Sequence, residues 1–128
     1  MKAKILVIED NEQNMYLVTF ILEKYGYQVI QARNGVDGIA VASQEKPDLI
    51  LLDIQLPAMD GYAVARELRK NEVLAKIPII AVTSYAMPGD RENALEAGCS
   101  GYIEKPIDPN TFITQVVEYL NSYKPGNN

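Results

Sequence analysis

Residues Ile5–Asn14 read ILVIEDNEQN. The four residues Ile5–Ile8 are apolar in succession, so a strand built from them has no polar face to give to water. Such a strand is covered on both sides, as in a parallel sheet with helices packed over each face. Two further runs have the same character: LILL at Leu49–Leu52 and IIAV at Ile79–Val82. The first run stops abruptly at Glu9 and Asp10, adjacent carboxylates with no glycine following. Like charges repel, so the pair belongs either on a solvated loop or where a cation is expected.

Working outward, strands are predicted at Lys4–Ile8, Gln28–Ala32, Leu49–Asp53, Ile79–Thr83 and Gly101–Glu104. Amphipathic segments lie between them. Asn11 stands as the N-cap of a first helix that stops at Tyr25–Gly26. Asn34–Gly35 and Pro47 bracket a second, Gly61–Lys70 forms a third, and Gly89–Ala97 a shorter fourth ending at Gly98. Asp108–Pro109 opens a fifth, with Asp as cap and Pro at the first helical position, running to about Tyr123. Strand and helix thus alternate five times, the pattern of a doubly wound α/β sheet with five parallel strands. Residues 1–123 are expected to be one domain and 124–128, KPGNN, a short polar tail.

Composition narrows the function classes. The chain has 128 residues, a net charge of −5, no histidine, no tryptophan and a single cysteine, Cys99. Without histidine the usual general base, proton shuttle and zinc ligand are all missing. One cysteine forms no internal disulfide, which suits a cytoplasmic protein. Lysine and arginine are scattered, with no basic stripe for nucleic acid. No apolar run reaches the length of a membrane span, and no basic-then-apolar leader opens the sequence.

In a doubly wound sheet, ligands sit outside the carboxyl ends of the strands. The first strand delivers Glu9 and Asp10 there, the third Asp53, the fourth Thr83, and the fifth is followed by Lys105 and Pro106. Three carboxylates, a hydroxyl and an ammonium therefore share one rim. Oxygen ligands alone suit a hard ion, and Mg²⁺ is the natural candidate. The loop after the first strand lacks the glycines of a phosphate cradle, so a bare nucleotide phosphate is repelled. A phosphoryl group could enter once its charge is balanced by the metal and by Lys105, and Asp53 could then act as a nucleophile. Taken singly, each residue also has a plain structural role: a solvated acidic pair, a turn cap, a β-branched strand residue, a surface Lys-Pro.

ILVIEDNEQN, KPDLILLDIQLPAMDGY, IPIIAVTSYAMPGD and AGCSGYIEKPI, in this order and spacing, resemble a receiver domain of the two-component response regulators, of the stand-alone single-domain type. The resemblance implies the flavodoxin-like strand order 2-1-3-4-5. It implies that Asp53 is the phosphoacceptor, loaded by a histidine kinase or phosphotransfer protein. Glu9, Asp10, Asp53 and the backbone carbonyl of Gln55 would hold Mg²⁺. Thr83 and Lys105 would stabilise the phosphoryl group, with Tyr102 as the switch aromatic and Pro106 as a candidate cis proline. Gln55 and Tyr85 fall where the family tunes the lifetime of the phosphorylated form, and their bulk suggests slow self-hydrolysis. Glu9 departs from the aspartate found in many relatives, and its longer arm could act through a water.

On the first helix, Met15, Val18, Leu22 and Tyr25 fall on one arc and are expected in the core. Tyr16 and Phe20 fall on the opposite arc. They could meet a kinase or phosphotransfer partner, or pack against the fifth helix. A downstream protein target, or a weak homodimer through the face of the fourth helix, fifth strand and fifth helix, would carry the signal onward. Tyr102 could equally be a half-buried aromatic with its hydroxyl in water. Two rivals stand beside this reading: a phosphoester hydrolase, which would want an acid where Gln55 stands, and a receiver-like scaffold that is never phosphorylated.

Overall fold

The computed structural model describes residues 3–56, 59–84 and 89–122. Strands β1 (Lys4–Ile8), β2 (Gln28–Ala32), β3 (Leu49–Asp53), β4 (Ile79–Thr83) and β5 (Gly101–Glu104) alternate with helices α1 (Glu12–Lys24), α2 (Gly35–Glu45), α3 (Gly61–Lys70), α4 (Asp90–Glu96) and α5 (Pro109–Ser122). The strands are parallel in the order β2-β1-β3-β4-β5. This is the expected flavodoxin-like sheet.

The apolar runs explain the layering. Side chains of a strand alternate between faces, and here both faces are covered. Leu6, Ile8, Ile50, Leu52, Ile79 and Ala81 pack with Ala42 of α2, Val64 and Leu68 of α3, and Ala94 of α4. Ile5, Val7, Leu49, Leu51, Ile80 and Val82 pack with Met15, Val18 and Leu22 of α1 and with Phe112 and Val116 of α5. Helices α2, α3 and α4 thus lie on one face, α1 and α5 on the other. The edge strand β2, with Gln28 and Gln31 exposed, is less apolar for that reason.

Capping follows sequence chemistry. The side-chain oxygens of Asn11, Asn34 and Asp60 accept from the backbone N–H groups of Asn14, Asp37 and Ala63, closing the first turns of α1, α2 and α3. A short 3₁₀ turn at Glu72–Leu74, absent from the sequence reading, is set by Asn71, whose side chain accepts from the Val73 N–H. Tyr25 departs from expectation. It is the C-cap of α1 and 54 % exposed, because the chain leaves the helix there and the ring passes beyond the end of the core. Ile21, which the arc reading left out, is buried in its place. Tyr123, the expected end of α5, lies outside the described residues.

The edge of the sheet opposite the carboxyl ends is fastened by Arg69. Its guanidinium donates to the carbonyl oxygens of Gly98 (2.8 Å), Leu74 (3.0 Å), Ala75 (3.1 Å) and Ile77 (2.7 Å) and to Ser100 Oγ (3.1 Å). One planar cation thereby ties the end of α3, the 3₁₀ turn, the entry to β4 and the turn into β5. Gly98 permits this closeness. Its φ is +105°, and a Cβ there would lie 2.6 Å from Arg69 Cγ.

Arg69→Met is expected to lower unfolding stability by about 2–4 kcal/mol in urea titrations, because several carbonyls lose a charged donor together. Arg69→Lys should recover only a small part, since one ammonium cannot span the same acceptors. A cost below about 0.5 kcal/mol for Arg69→Met, the range of ordinary surface changes, would refute the fastening role.

Candidate metal and phosphoryl site

The register of the sheet staggers the strand ends into a pocket. Ile8 pairs with Leu52, so Glu9 and Asp53 follow side by side. Asp53 pairs with Val82, which puts Thr83 one residue beyond it, and Thr83 pairs with Glu104, which puts Lys105 one residue beyond again. The N–H of Glu9 donates to the carbonyl of Ala32 (3.0 Å) and that of Lys105 to the carbonyl of Thr83 (2.7 Å), extending the ladder into the rim. Gly61 lets α3 begin directly over Asp53, since a Cβ there would meet Ile54 Cα at 2.5 Å and the Asp53 carbonyl at 2.8 Å.

Glu9, Asp53 and Thr83 are each only 4 % exposed, which is uncommon for carboxylates. Lys105 Nζ lies 3.1 Å from Glu9 Oε1 and 3.5 Å from Asp53 Oδ2, bridging the two. The other carboxylate oxygens are held by backbone: the Asn11 N–H donates to Glu9 Oε2 (3.1 Å) and the Gln55 N–H to Asp53 Oδ1 (2.9 Å). Asp10 is exposed at the mouth. One carboxylate oxygen from each of Glu9, Asp10 and Asp53 comes within 4.8 Å of the others. The pocket thus gathers three acids around one resident ammonium. That donor set, oxygen only and with an open mouth, fits a hard divalent cation such as Mg²⁺ with water completing its shell.

The imbalance is visible in Glu9. Its pKa is pushed up from 4.5 to about 7, first by burial, then by a hydrogen bond shared with Asp53 and by the Asp53 charge; the Asn11 N–H and Lys105 offset only part of this. Glu9 was foreseen only as a metal ligand. That it also takes the shorter contact with Lys105 was not legible, because the distance depends on how the β1 and β5 termini are staggered.

The remaining candidates fall as follows. Tyr102 is half-buried on β5, against the core layer of α2, α3 and α4, and its backbone N–H donates to Tyr119 Oη (3.3 Å). Burial raises its phenol pKa, with Asp90 and Glu104 adding to the effect. The Lys105–Pro106 peptide bond is cis. Gln55 reaches across the rim, its Oε1 accepting from the Ser84 N–H (3.2 Å). This contact was missed, since nothing in sequence spacing announces a bond between two loops. Tyr85 lies outside the described residues. Tyr16 and Phe20 stand on the outer face of α1, 72 % and 56 % exposed, their rings stacked with centroids 6.2 Å apart.

A carboxyl that holds its proton more tightly in the fold than in the unfolded chain stabilises the fold at low pH. It gives that stability up as the pH climbs from 4.5 through about 7. In chelator, the thermal midpoint is expected to fall between about pH 5 and about pH 8, and saturating Mg²⁺ to restore it at the alkaline end. Glu9→Gln should flatten the decline. The opposing pair of Glu12 with Arg33 holds the Glu12 pKa below 4.5, so its loss lies outside this window. An equally steep decline in Glu9→Gln would assign the slope to other groups.

The response regulator receiver domain family matches residues 5–117 of the chain. The chain is 43 % identical over 120 residues to the polar-differentiation response regulator DivK of Brucella anthropi, covering 94 % of this chain and 98 % of that one. Among solved structures it is similar to the receiver domain of a sensor histidine kinase from Pseudomonas aeruginosa PAO1, which carries a magnesium ion in its active-site cleft. That match has 35 % identity and a TM-score of 0.87 over 94 % of this chain and 99 % of that one. It is also similar to a CheY-like receiver domain from Methanospirillum hungatei JF-1, at 30 % identity and a TM-score of 0.89 over 96 % and 97 % of the two chains. With an acidic pocket at the carboxyl edge of a 2-1-3-4-5 sheet and a family match along most of its length, this chain belongs to the response regulator receiver family, the phosphoacceptor signalling proteins whose phosphodonors are histidine kinases.

Proposed function

We propose that Asp53 is the phosphoacceptor of this receiver and that the protein works as a charge-driven switch. The carrying observation is the buried Asp53 carboxylate with Lys105 Nζ 3.5 Å from one oxygen and two further acids beside it. Asp53 would form its O–P bond as the N–P bond of a phosphohistidine breaks. The departing imidazole keeps the bonding pair and takes a proton from solvent. Glu9, Asp10, Asp53 and the backbone carbonyl of Gln55 would hold Mg²⁺, which when bound supplies positive charge against the oxygens of the transferring group. Lys105 already stands beside the acceptor, and Thr83, at the end of the adjacent strand, would donate its hydroxyl to the new phosphoryl group.

Phosphorylation adds about 1.5–2 negative charges where an acid already sits. Lys105 and Thr83 would shift toward them, and Tyr102 on the neighbouring strand would follow. The face of α4, β5 and α5 is where we place the output, to a protein target or to a second copy in a weak homodimer. A groove of about 320 Å³ runs there beside Tyr102, Glu104 and Pro106. The stacked pair Tyr16 and Phe20 is the surface on which a phosphotransfer partner or kinase would rest, because aromatic rings this exposed bury well only against another protein. No described helix is long and apolar enough to cross a membrane, and a cytoplasmic setting completes the reading. Gln55, unable to donate a carboxyl proton, argues against a phosphoester hydrolase.

Incubation with Mg²⁺ and acetyl phosphate, followed by intact mass, is expected to show one added phosphoryl group, absent in Asp53→Asn and absent in chelator. An unmodified wild type that still captures the kinase would favour the non-phosphorylated scaffold instead. Phe20→Glu should slow transfer from a phosphohistidine donor by about ten-fold while leaving the thermal midpoint and labelling by acetyl phosphate unchanged. Unfolding of that variant would place Phe20 in the core.

A further inference from the structure

Gln55 holds two loops at once. Its backbone N–H donates to Asp53 Oδ1 at 2.9 Å, and its side-chain Oε1 accepts from the Ser84 N–H at 3.2 Å. The first bond binds it to the carboxylate on β3. The second crosses to the residue that follows Thr83, at the end of the neighbouring strand. Since Asp53 pairs with Val82, the Ser84 amide sits two residues along from the position level with that carboxylate. A single side chain therefore occupies a backbone donor beside the acidic pocket.

We infer that the Gln55 carboxamide is a latch that holds Ser84, the residue just past the end of β4, and competes with a phosphoryl group for the Ser84 N–H. The physical basis is the difference between the two acceptors. A neutral amide oxygen makes an ordinary hydrogen bond, whereas an oxygen bearing phosphoryl charge makes one about twice as strong. A phosphoryl group on Asp53 would thus draw the Ser84 amide away from Gln55 and bring the end of β4 with it. Until then the latch keeps Ser84, and with it the adjacent Thr83, in place. This gives Gln55 a positioning role distinct from shielding the site by bulk. It deepens the reading of Asp53 as phosphoacceptor and rests on that reading for its consequence, though the latch itself is a property of the unmodified protein.

The test uses Gln55→Met, which keeps the length and bulk of the side chain and removes the acceptor oxygen. Hydrogen exchange of the Ser84 amide, followed by NMR in Mg²⁺ without any phosphodonor, should quicken about two- to ten-fold, the loss of one neutral hydrogen bond. Labelling by acetyl phosphate should quicken by a similar factor, because the competing acceptor is gone. Unchanged exchange at Ser84 would overturn the latch whatever happens at Asp53. Faster exchange with slower labelling would also overturn it, since the bond would then be supporting the reactive arrangement. Failure of wild type and variant alike to take up a phosphoryl group would remove the phosphoacceptor reading, while the Ser84 exchange still decides whether the latch exists.

Discussion

A lysine ammonium shared by two buried carboxylates is the interaction on which the rest of this structure depends. Lys105 meets Glu9 at 3.1 Å and Asp53 at 3.5 Å, all three side chains largely removed from water. One positive charge between two acids, with Asp10 a third at the mouth, leaves the pocket net negative. Removing such charges from water is costly unless they are paired and hydrogen-bonded. The protein does part of this with the Asn11 and Gln55 N–H groups, and the imbalance that remains shows in the raised pKa of Glu9. What remains is an open anionic mouth, and that residual charge is the reason a divalent cation fits.

The fold places these groups together by strand register. Each strand from β3 to β5 delivers its polar residue one step beyond that of its neighbour, so the acid, the hydroxyl and the ammonium form a staggered line around the rim. The line survives only if the strands cannot slip. Slippage by one residue would turn every apolar side chain of β1, β3 and β4 to the opposite layer. Because both layers are packed with apolar side chains, the cost of slippage falls on the whole core. The hydrophobic pattern that builds the sheet is therefore also what fixes the site.

Much of this was legible in the residues. ILVI, LILL and IIAV declare covered strands because no side of them suits water, and Asn11 and Asn34 mark helix starts by their chemistry. Acids, hydroxyl and ammonium at strand ends can be read as one rim once the strands are parallel. What sequence did not carry was anything dependent on distance between loops: the shorter contact of Lys105 with Glu9, the bond from Gln55 to Ser84, the reach of Arg69 across four carbonyls. Tyr25 shows the complementary failure. Helical periodicity places it on the buried arc, but periodicity has no knowledge of where the core ends.

Stability and chemistry are placed at opposite edges of the same sheet. At the edge where the strands begin, Arg69 ties three connections together, and the Lys4 N–H donates to Asp48 Oδ2 at 2.7 Å while the Asp48 N–H donates back to the Lys4 carbonyl, also at 2.7 Å. These bonds tie connections between elements and involve no group of the pocket. At the carboxyl edge the bonds are shared: Lys105 divides itself between two acids, and the Ser84 N–H is held by a neutral amide. The neutral amide on Ser84 is a resting bond that a charged acceptor could displace. Fastening the connections at the far edge would let a change of charge at Asp53 redistribute the rim without loosening the register that assembled it.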